Sequence, residues 1–290
     1  MLIFYAIGFL KFFTTLLQGA PAQNDVTETV IDKSDLINLT HVGAHIFGKP
    51  HWVPSEILTQ FEENSTLNPE EVGPYLEGDM LVPYEQTFYF RNGLIAYSTR
   101  WPGAVVPYII QGDFNEKELA RITHAFHEYH NKTCVRFKPR TYEPDYLVIT
   151  NHKTGCWSSV GRLGGRQEVN LQTPHCFHNY GTSMHELMHS LGFMHEQNRP
   201  DRDNYIRVLR QNVKKGMLGN FAKGSPKELH HFGVSYDYAS VMHYSKTSFS
   251  KNGQPTIEAL KNTKEALLMG QRKGFSKGDV AKLNAMYKCV

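Results

Sequence analysis

A chain of 290 residues, 40% hydrophobic and 20% charged with a formal net charge of +3, has the composition of a soluble globular protein of one or two domains. No internal repeat or low-complexity tract is present, which excludes repeat and fibrous architectures. The overall charge is too small to call for a nucleic-acid partner.

Residues 1–22, MLIFYAIGFLKFFTTLLQGAPA, are apolar apart from Lys11 and end in small residues at Ala20 and Ala22. The run is too interrupted for a membrane helix and reads as a secretory signal, with an uncleaved anchor as the alternative. A secreted, extracellular protein without a membrane partner is therefore expected. Residues 23–91 hold 12 acidic residues against Lys33, Lys49 and Arg91, a net −9, whereas residues 92–290 hold 27 basic and 16 acidic residues, a net +11. Opposite charges on two parts of one chain favour docking of one on the other, screened beyond about 10 Å. Asn38, Asn64 and Asn131 each begin an Asn-X-Thr glycan-acceptor sequon.

Strands are expected at 104–110 and 146–150, with a helix between them. Asn115 is its N-cap, with Glu118 three residues on as a capping box, and Leu119, Ile122, Phe126 and Tyr129 form its buried stripe. A further strand is expected at 167–172, and a closing helix over 275–289 with Val280, Leu283 and Tyr287 on its inner face. Residues 196–275, rich in Gly, Pro, Ser and Asn, are expected to be mostly irregular. All four cysteines, Cys134, Cys156, Cys176 and Cys289, follow residue 130. An even count in a secreted chain implies two disulfides, in any of three connectivities.

The stretch HELMHSLGFMH, residues 185–195, carries the chemistry. His185 and His189 are four apart and share a helix face. Glu186 lies about 100° around the helix, beside that face and off the core. Gly192 permits the positive-φ turn that ends the helix, so His195 can return toward the first two imidazoles. Three protein ligands leave one position open, the mark of a catalytic zinc site, and the adjacent carboxylate can accept a proton from water. Competing readings are a chance motif and a capping box in which Ser183 makes Glu186 only a helix-start residue.

HExxHxxGxxH is the metzincin signature, and its continuation through Phe193 to Glu196 resembles the astacin family in particular. Ser240-Val-Met-His-Tyr244 resembles that family's Met-turn, and the blocks beginning at Cys156 and Thr133 are also similar. The resemblance covers residues 92–290 and extends more weakly through the acidic segment. It implies an α+β, two-lobed catalytic domain. A twisted, mostly parallel five-stranded sheet with two long helices should stand above the cleft, over a largely irregular lower lobe with a C-terminal helix. It implies a zinc metalloendopeptidase with one Zn²⁺ per chain, held by His185, His189 and His195. Glu186 would be the general base, and Tyr244 a resting metal ligand that swings to the oxyanion. Met242 would form an apolar floor, and Cys134–Cys289 and Cys156–Cys176 would be the disulfides. Substrates would be extended polypeptides laid antiparallel to an edge strand near 157–166, with the protein a monomer and no further module after Cys289. A zinc-binding protein that has lost proteolysis is the main alternative.

The same resemblance makes residues 23–91 an inhibitory propeptide. Asp79, in Leu76-Glu-Gly-Asp79, would take the water's place on zinc, with Leu76 standing where the family has an aromatic residue. The placement of Trp101 implies cleavage after Arg91 by a trypsin-like protease. Asn92 would then carry the new amino terminus, whose ammonium would reach Glu196. The His230-His231 pair is expected to be an exposed loop.

Overall fold

Helix α1 starts where local chemistry says it should. The Asn115 side chain accepts from Glu118 N at 3.0 Å, and Glu118 accepts from Asn115 N at 3.0 Å, so two helix-end donors are satisfied reciprocally. In this computed structural model the described residues are 46–47, 58, 67–83, 99–224 and 230–290, all within the unit Ser34–Val290. The signal segment, Asn38, Asn64, Arg91 and Asn92 lie outside them.

The strands are β1 (Ile46–Phe47), β2 (Met80–Pro83), β3 (Val105–Ile110), β4 (Arg136–Pro139), β5 (Tyr146–Thr150), β6 (Cys156–Ser159), β7 (Arg166–Leu171), β8 (Ile206–Val208) and β9 (Ile257–Ala259). The helices are α1 (Glu116–Lys132), α2 (Tyr180–Ser190) and α3 (Lys277–Tyr287). One sheet has the order β1-β2-β6-β7-β5-β3-β4. The pairs β2–β6, β7–β5, β5–β3 and β3–β4 are parallel, while β1–β2 and β6–β7 are antiparallel. The expected mostly parallel five-stranded sheet is therefore present in the basic part of the chain. The acidic part extends it by two strands that the sequence reading did not anticipate. β6 would be an edge, and β2 covers it.

Two hydrophobic cores correspond to the two lobes. The larger joins the sheet to α1, α2 and α3 through residues such as Val106, Ile122, Leu147, Leu187 and Leu283. The smaller gathers Ile206, Phe221, Tyr244, Phe249 and Ile257 below the cleft. Two details differ from expectation. Leu119 is 36% exposed, because the α1 stripe turns inward through Ala125 as well as Ile122, Phe126 and Tyr129. On α3 the buried residues are Asp279, Lys282, Leu283 and Met286, with Val280 and Tyr287 only half-buried. Charged groups face inward there because partners await them: Asp279 accepts from Ser240 Oγ and Val241 N, and Lys282 donates to Glu196. The 196–275 region is a chain of 3-10 turns with one small two-stranded sheet, β8–β9.

The disulfides are Cys134–Cys289, with a sequence separation of 155, and Cys156–Cys176. The first ties the end of α3 to the turn after α1. The second fastens β6 to the turn before α2.

Candidate metal centre

Helix α2 begins at Tyr180, three residues before Ser183. Glu186 is thus well inside the helix and makes no capping box. α2 ends at Ser190, and Gly192, with a φ of 102°, then reverses the chain. His195 follows and returns to the face carrying His185 and His189. All three histidines are buried, as are Glu186 and Asp79.

The imidazoles are oriented from behind. His185 Nδ1 lies 2.8 Å from the Val241 carbonyl and His189 Nδ1 lies 2.7 Å from the Phe193 carbonyl. A carbonyl only accepts, so each Nδ1 carries the proton and each Nε2 presents a lone pair. His195 Nδ1 meets Glu77 Oε2 at 2.8 Å. The Nε2 atoms then converge, with His185 3.1 Å from His189 and 3.3 Å from His195. Asp79 Oδ2 stands 3.0 Å from His185 Nε2 and 3.2 Å from His195 Nε2, and Asp79 Oδ1 is 3.4 Å from His189 Nε2. Lone pairs facing one another at such range repel unless a cation lies between them. Four tetrahedral ligands with zinc bonds of about 2.0–2.1 Å sit about 3.3 Å apart, so the donor set and its spacing fit that metal. Among the described residues this is the one group of side chains able to hold a metal ion.

The electrostatics agree with a cation site. Burial drives His185 well below its ordinary value, with Arg272 adding to the effect. Burial opposes ionisation of Asp79, but the surrounding imidazoles outweigh it and hold the carboxyl well below the usual range. Burial likewise opposes the charged form of His195, yet Asp79 and Glu77 push it up to about 9. A proton or a metal cation at its Nε2 answers the same negative field. Glu186 is pushed well above the carboxylate range by burial, then by Asp79 and Glu70. Neither of its oxygens finds a hydrogen-bond partner among the described residues.

The acidic segment reaches this centre by a tight path. Gly78 has φ 93°, and a Cβ there would lie 3.0 Å from the Phe249 ring and 3.1 Å from the Glu70 carbonyl. Only glycine lets the chain present Asp79 so closely. Met80 and Leu81 then pair with Ser158 and Ser159, and Asp79 O accepts from Ser158 N at 2.9 Å.

Tyr244 lies beside the centre, its ring 4.6 Å from that of His195. Its hydroxyl donates to the Glu77 carbonyl at 2.5 Å, and Asp79 stands among the imidazoles. Met242 is buried and its carbonyl accepts from Glu196 N at 3.0 Å. Glu196 accepts from Lys282 Nζ at 2.5 Å, Arg199 Nη1 at 3.0 Å and Asp237 N at 2.9 Å. The carboxylate assigned by resemblance to the amino terminus is thus held here by two buried cations. His243, pushed down to about 4 by burial, is neutral. His230 and His231 are exposed and stack on each other.

Several contributors escaped the sequence reading. Glu70 and Glu71, on the 3-10 turn Pro69–Val72, are buried against the basic part of the chain. Glu70 pairs with Arg272, and Glu71 accepts from Ser245 N at 2.7 Å and Ser245 Oγ at 2.6 Å. Asn68-Pro69 announces a turn, but nothing local singles out two glutamates among 12 acids. Glu77, Gln197 and Tyr236 were likewise visible only through their tertiary contacts.

Comparison with known proteins agrees with this geometry. The family model described as Astacin, a peptidase family, matches residues 94–288. Zinc metalloproteinase nas-8 of Steinernema carpocapsae is 45% identical over 200 residues, covering 69% of this chain and 47% of that protein. High choriolytic enzyme 1 of Oryzias latipes is 37% identical over 222 residues, covering 74% of this chain and 78% of that protein. Its solved structure, described as a hatching enzyme zinc-protease, aligns with a TM-score of 0.62 at 35% identity, over 69% of this chain and 100% of that one. The chain spans 49%, 46% and 43% of nas-8, nas-14 and nas-13 of Caenorhabditis elegans, about half their length. Among the described residues no helix is long and apolar enough to cross a membrane. Signature, fold and the three converging histidines coincide over the same two hundred residues, and the chain belongs to the astacin family.

Proposed function

We propose that this chain is a secreted, latent zinc endopeptidase. Residues 1–22 are its signal, 23–91 its inhibitory segment and 92–290 its catalytic domain. The observation that carries the reading is the convergence of three imidazole Nε2 atoms and Asp79 within 4.8 Å of one another. His185, His189 and His195 would hold one Zn²⁺, with Asp79 as the further ligand in the latent form.

Zinc in such a site acts as a Lewis acid that activates water and polarises a carbonyl. The rest falls to the protein. Glu186, unpartnered beside the histidine face, takes the proton released as water attacks the scissile carbon, and delivers it to the departing amine. The C–N bond breaks, and the products are a carboxylic acid and an amine. Tyr244 donates its hydroxyl to the developing oxyanion once Glu77 no longer occupies it. Burial raises its pKa well above 10, so it remains a donor. Met242 supports the centre from below. Extended polypeptides lie antiparallel to β6 after β2 leaves it.

Activation follows cleavage after Arg91 by a trypsin-like protease. The ammonium of Asn92 then enters the pocket lined by Gly192, Phe193, Phe232 and Met286 and joins Lys282 and Arg199 at Glu196.

The test uses the full chain, uncut and after cleavage at Arg91. The cut form should degrade casein, lose activity to a chelator and regain it with zinc. Glu186→Ala should bind stoichiometric zinc yet lose 10²–10⁴-fold in kcat, roughly the worth of a general base. Cut protein that carries no zinc, or that degrades casein equally well with the chelator present, ends this reading.

A further inference from the structure

The peptide units flanking Tyr244 are gripped at four points. Arg272 Nη1 donates to the His243 carbonyl at 3.1 Å, and Gln197 Oε1 accepts from Tyr244 N at 3.1 Å. His243 Nδ1 meets the Tyr244 carbonyl at 2.8 Å, and Glu71 Oε1 accepts from Ser245 N at 2.7 Å. Glu71 belongs to the acidic segment, as does Glu70, the partner of Arg272. When that segment leaves, Ser245 N loses its acceptor and Arg272 its counter-charge. Gln197 and His243 are the grips that do not depend on it.

Among the described residues the His243 side chain makes no hydrogen bond to the imidazole cluster, so a core histidine is the plain reading. Its hydrogen bonds say more. It is fully buried. Its Nδ1 faces a carbonyl, which only accepts, so the proton is on Nδ1. The neutral ring then offers a lone pair at Nε2, and the Tyr236 hydroxyl, 2.8 Å away, must donate to it. Tyr236 is itself held, its ring stacked on Tyr205 with centroids 4.7 Å apart and planes 9° from parallel. Take away the Tyr236 hydroxyl and Nε2 is left a buried acceptor without a donor, so the ring is held at the Tyr244 carbonyl from one side only.

We propose that His243 is a positioning residue for Tyr244. It clamps the Tyr244 carbonyl through Nδ1, with its ring held from the far side by Tyr236 at Nε2, so that the phenol swings on a fixed backbone when the acidic segment departs. This rests on the reading of Tyr244 as oxyanion donor given above. A side chain that must leave one partner and meet another within a few tenths of an ångström gains from an immobile pivot. His243 thereby acts on the reaction without touching substrate.

The test is a mutant cycle in the full chain after cleavage at Arg91, read as kcat and KM separately, with zinc content and thermal midpoint alongside. Tyr236→Phe should lower kcat by about 5–20-fold, with KM and zinc content unchanged. In a Tyr244→Phe background the same change should add no further loss, because it acts through that tyrosine. His243→Leu should lower kcat at least as far; should it fail to fold, the Tyr236 cycle decides alone. Wild-type kcat in Tyr236→Phe, or an equal loss with and without Tyr244, overturns the proposal, since a general structural role would ignore the Tyr244 background. Wild-type kcat in Tyr244→Phe would overturn the oxyanion reading itself, and this inference with it. A loss in Tyr244→Phe but none in Tyr236→Phe overturns this inference alone.

Discussion

Arg272 is paired with Glu70, a residue 202 positions earlier in the chain, and both are almost wholly shielded from water. Burial pushes Glu70 upward against the pull of Arg272, so the pair depends on close contact. Removing one charge from such a pair costs about 3–5 kcal/mol, because the other is left buried and alone. Glu70→Gln should therefore loosen the acidic segment. Arg272 keeps a weaker contact with Glu71 at 3.7 Å, which places the effect at the lower end. The expected outcome is a lower thermal midpoint for the uncut chain, with no change in that of the cut form once the segment has been removed.

Asp79→Ala addresses the other anchor. It takes the carboxylate from among the imidazoles while Glu70 and Glu71 still hold the segment in place. Peptide hydrolysis by the uncut chain should rise at least about tenfold, equivalent to about 1.4 kcal/mol of lost blockade. It should stay below that of the cut enzyme. A fluorogenic peptide assay on uncut protein, with a gel showing that Arg91 is intact, checks this.

Glu196 predicts an acid limb. Burial opposes its ionisation, but Lys282 and Arg199 hold its pKa below the ordinary 4.5. A depressed carboxyl stabilises the folded state above its unfolded pKa, and that contribution fades as pH falls through the lower folded value. Wild type should therefore lose stability below about pH 4.5, relative to Glu196→Gln. At neutral pH Glu196→Gln should be less stable by about 3–5 kcal/mol, since two buried cations lose their counter-charge. Thermal midpoints of both proteins from neutral to strongly acid pH give the comparison.

The Cys134–Cys289 bridge spans 155 residues. The chain-entropy model assigns such a loop about 5 kcal/mol, an upper figure because residual structure in the unfolded chain reduces it. A Cys134→Ala, Cys289→Ala double variant should unfold at markedly lower denaturant. Loss of the 20-residue Cys156–Cys176 bridge should cost less.

What could be read from the sequence was what repeats or closes over a few residues. The Asn115–Glu118 box, the His185–His189 pair and the turn at Gly192 each depend on neighbours within about two helical turns. Leu119 was misjudged because a stripe's edge is set by the packing partner and not by periodicity. Glu70 and Arg272 could not be matched by any local rule, since each is ordinary in its own surroundings. Tyr236 and His243 are similar: seven residues apart, they meet only because the Met-turn folds back. The two extra strands were missed because β1 is two residues long and β2 four, too short for alternation to show.

The direction of β2 has a bearing on how the protein can be switched on. It runs alongside β6 head to head, whereas a substrate as proposed would run head to tail. On that reading the guard strand would meet Glu186 and Tyr244 with its amine and acyl sides exchanged relative to a substrate. On the same reading, a molecule loaded in this sense would not sever its own guard from within the cleft. On the latent-enzyme reading proposed above, release would then fall to a separate protease, and the first active molecules should appear after a lag that shortens as that protease is added.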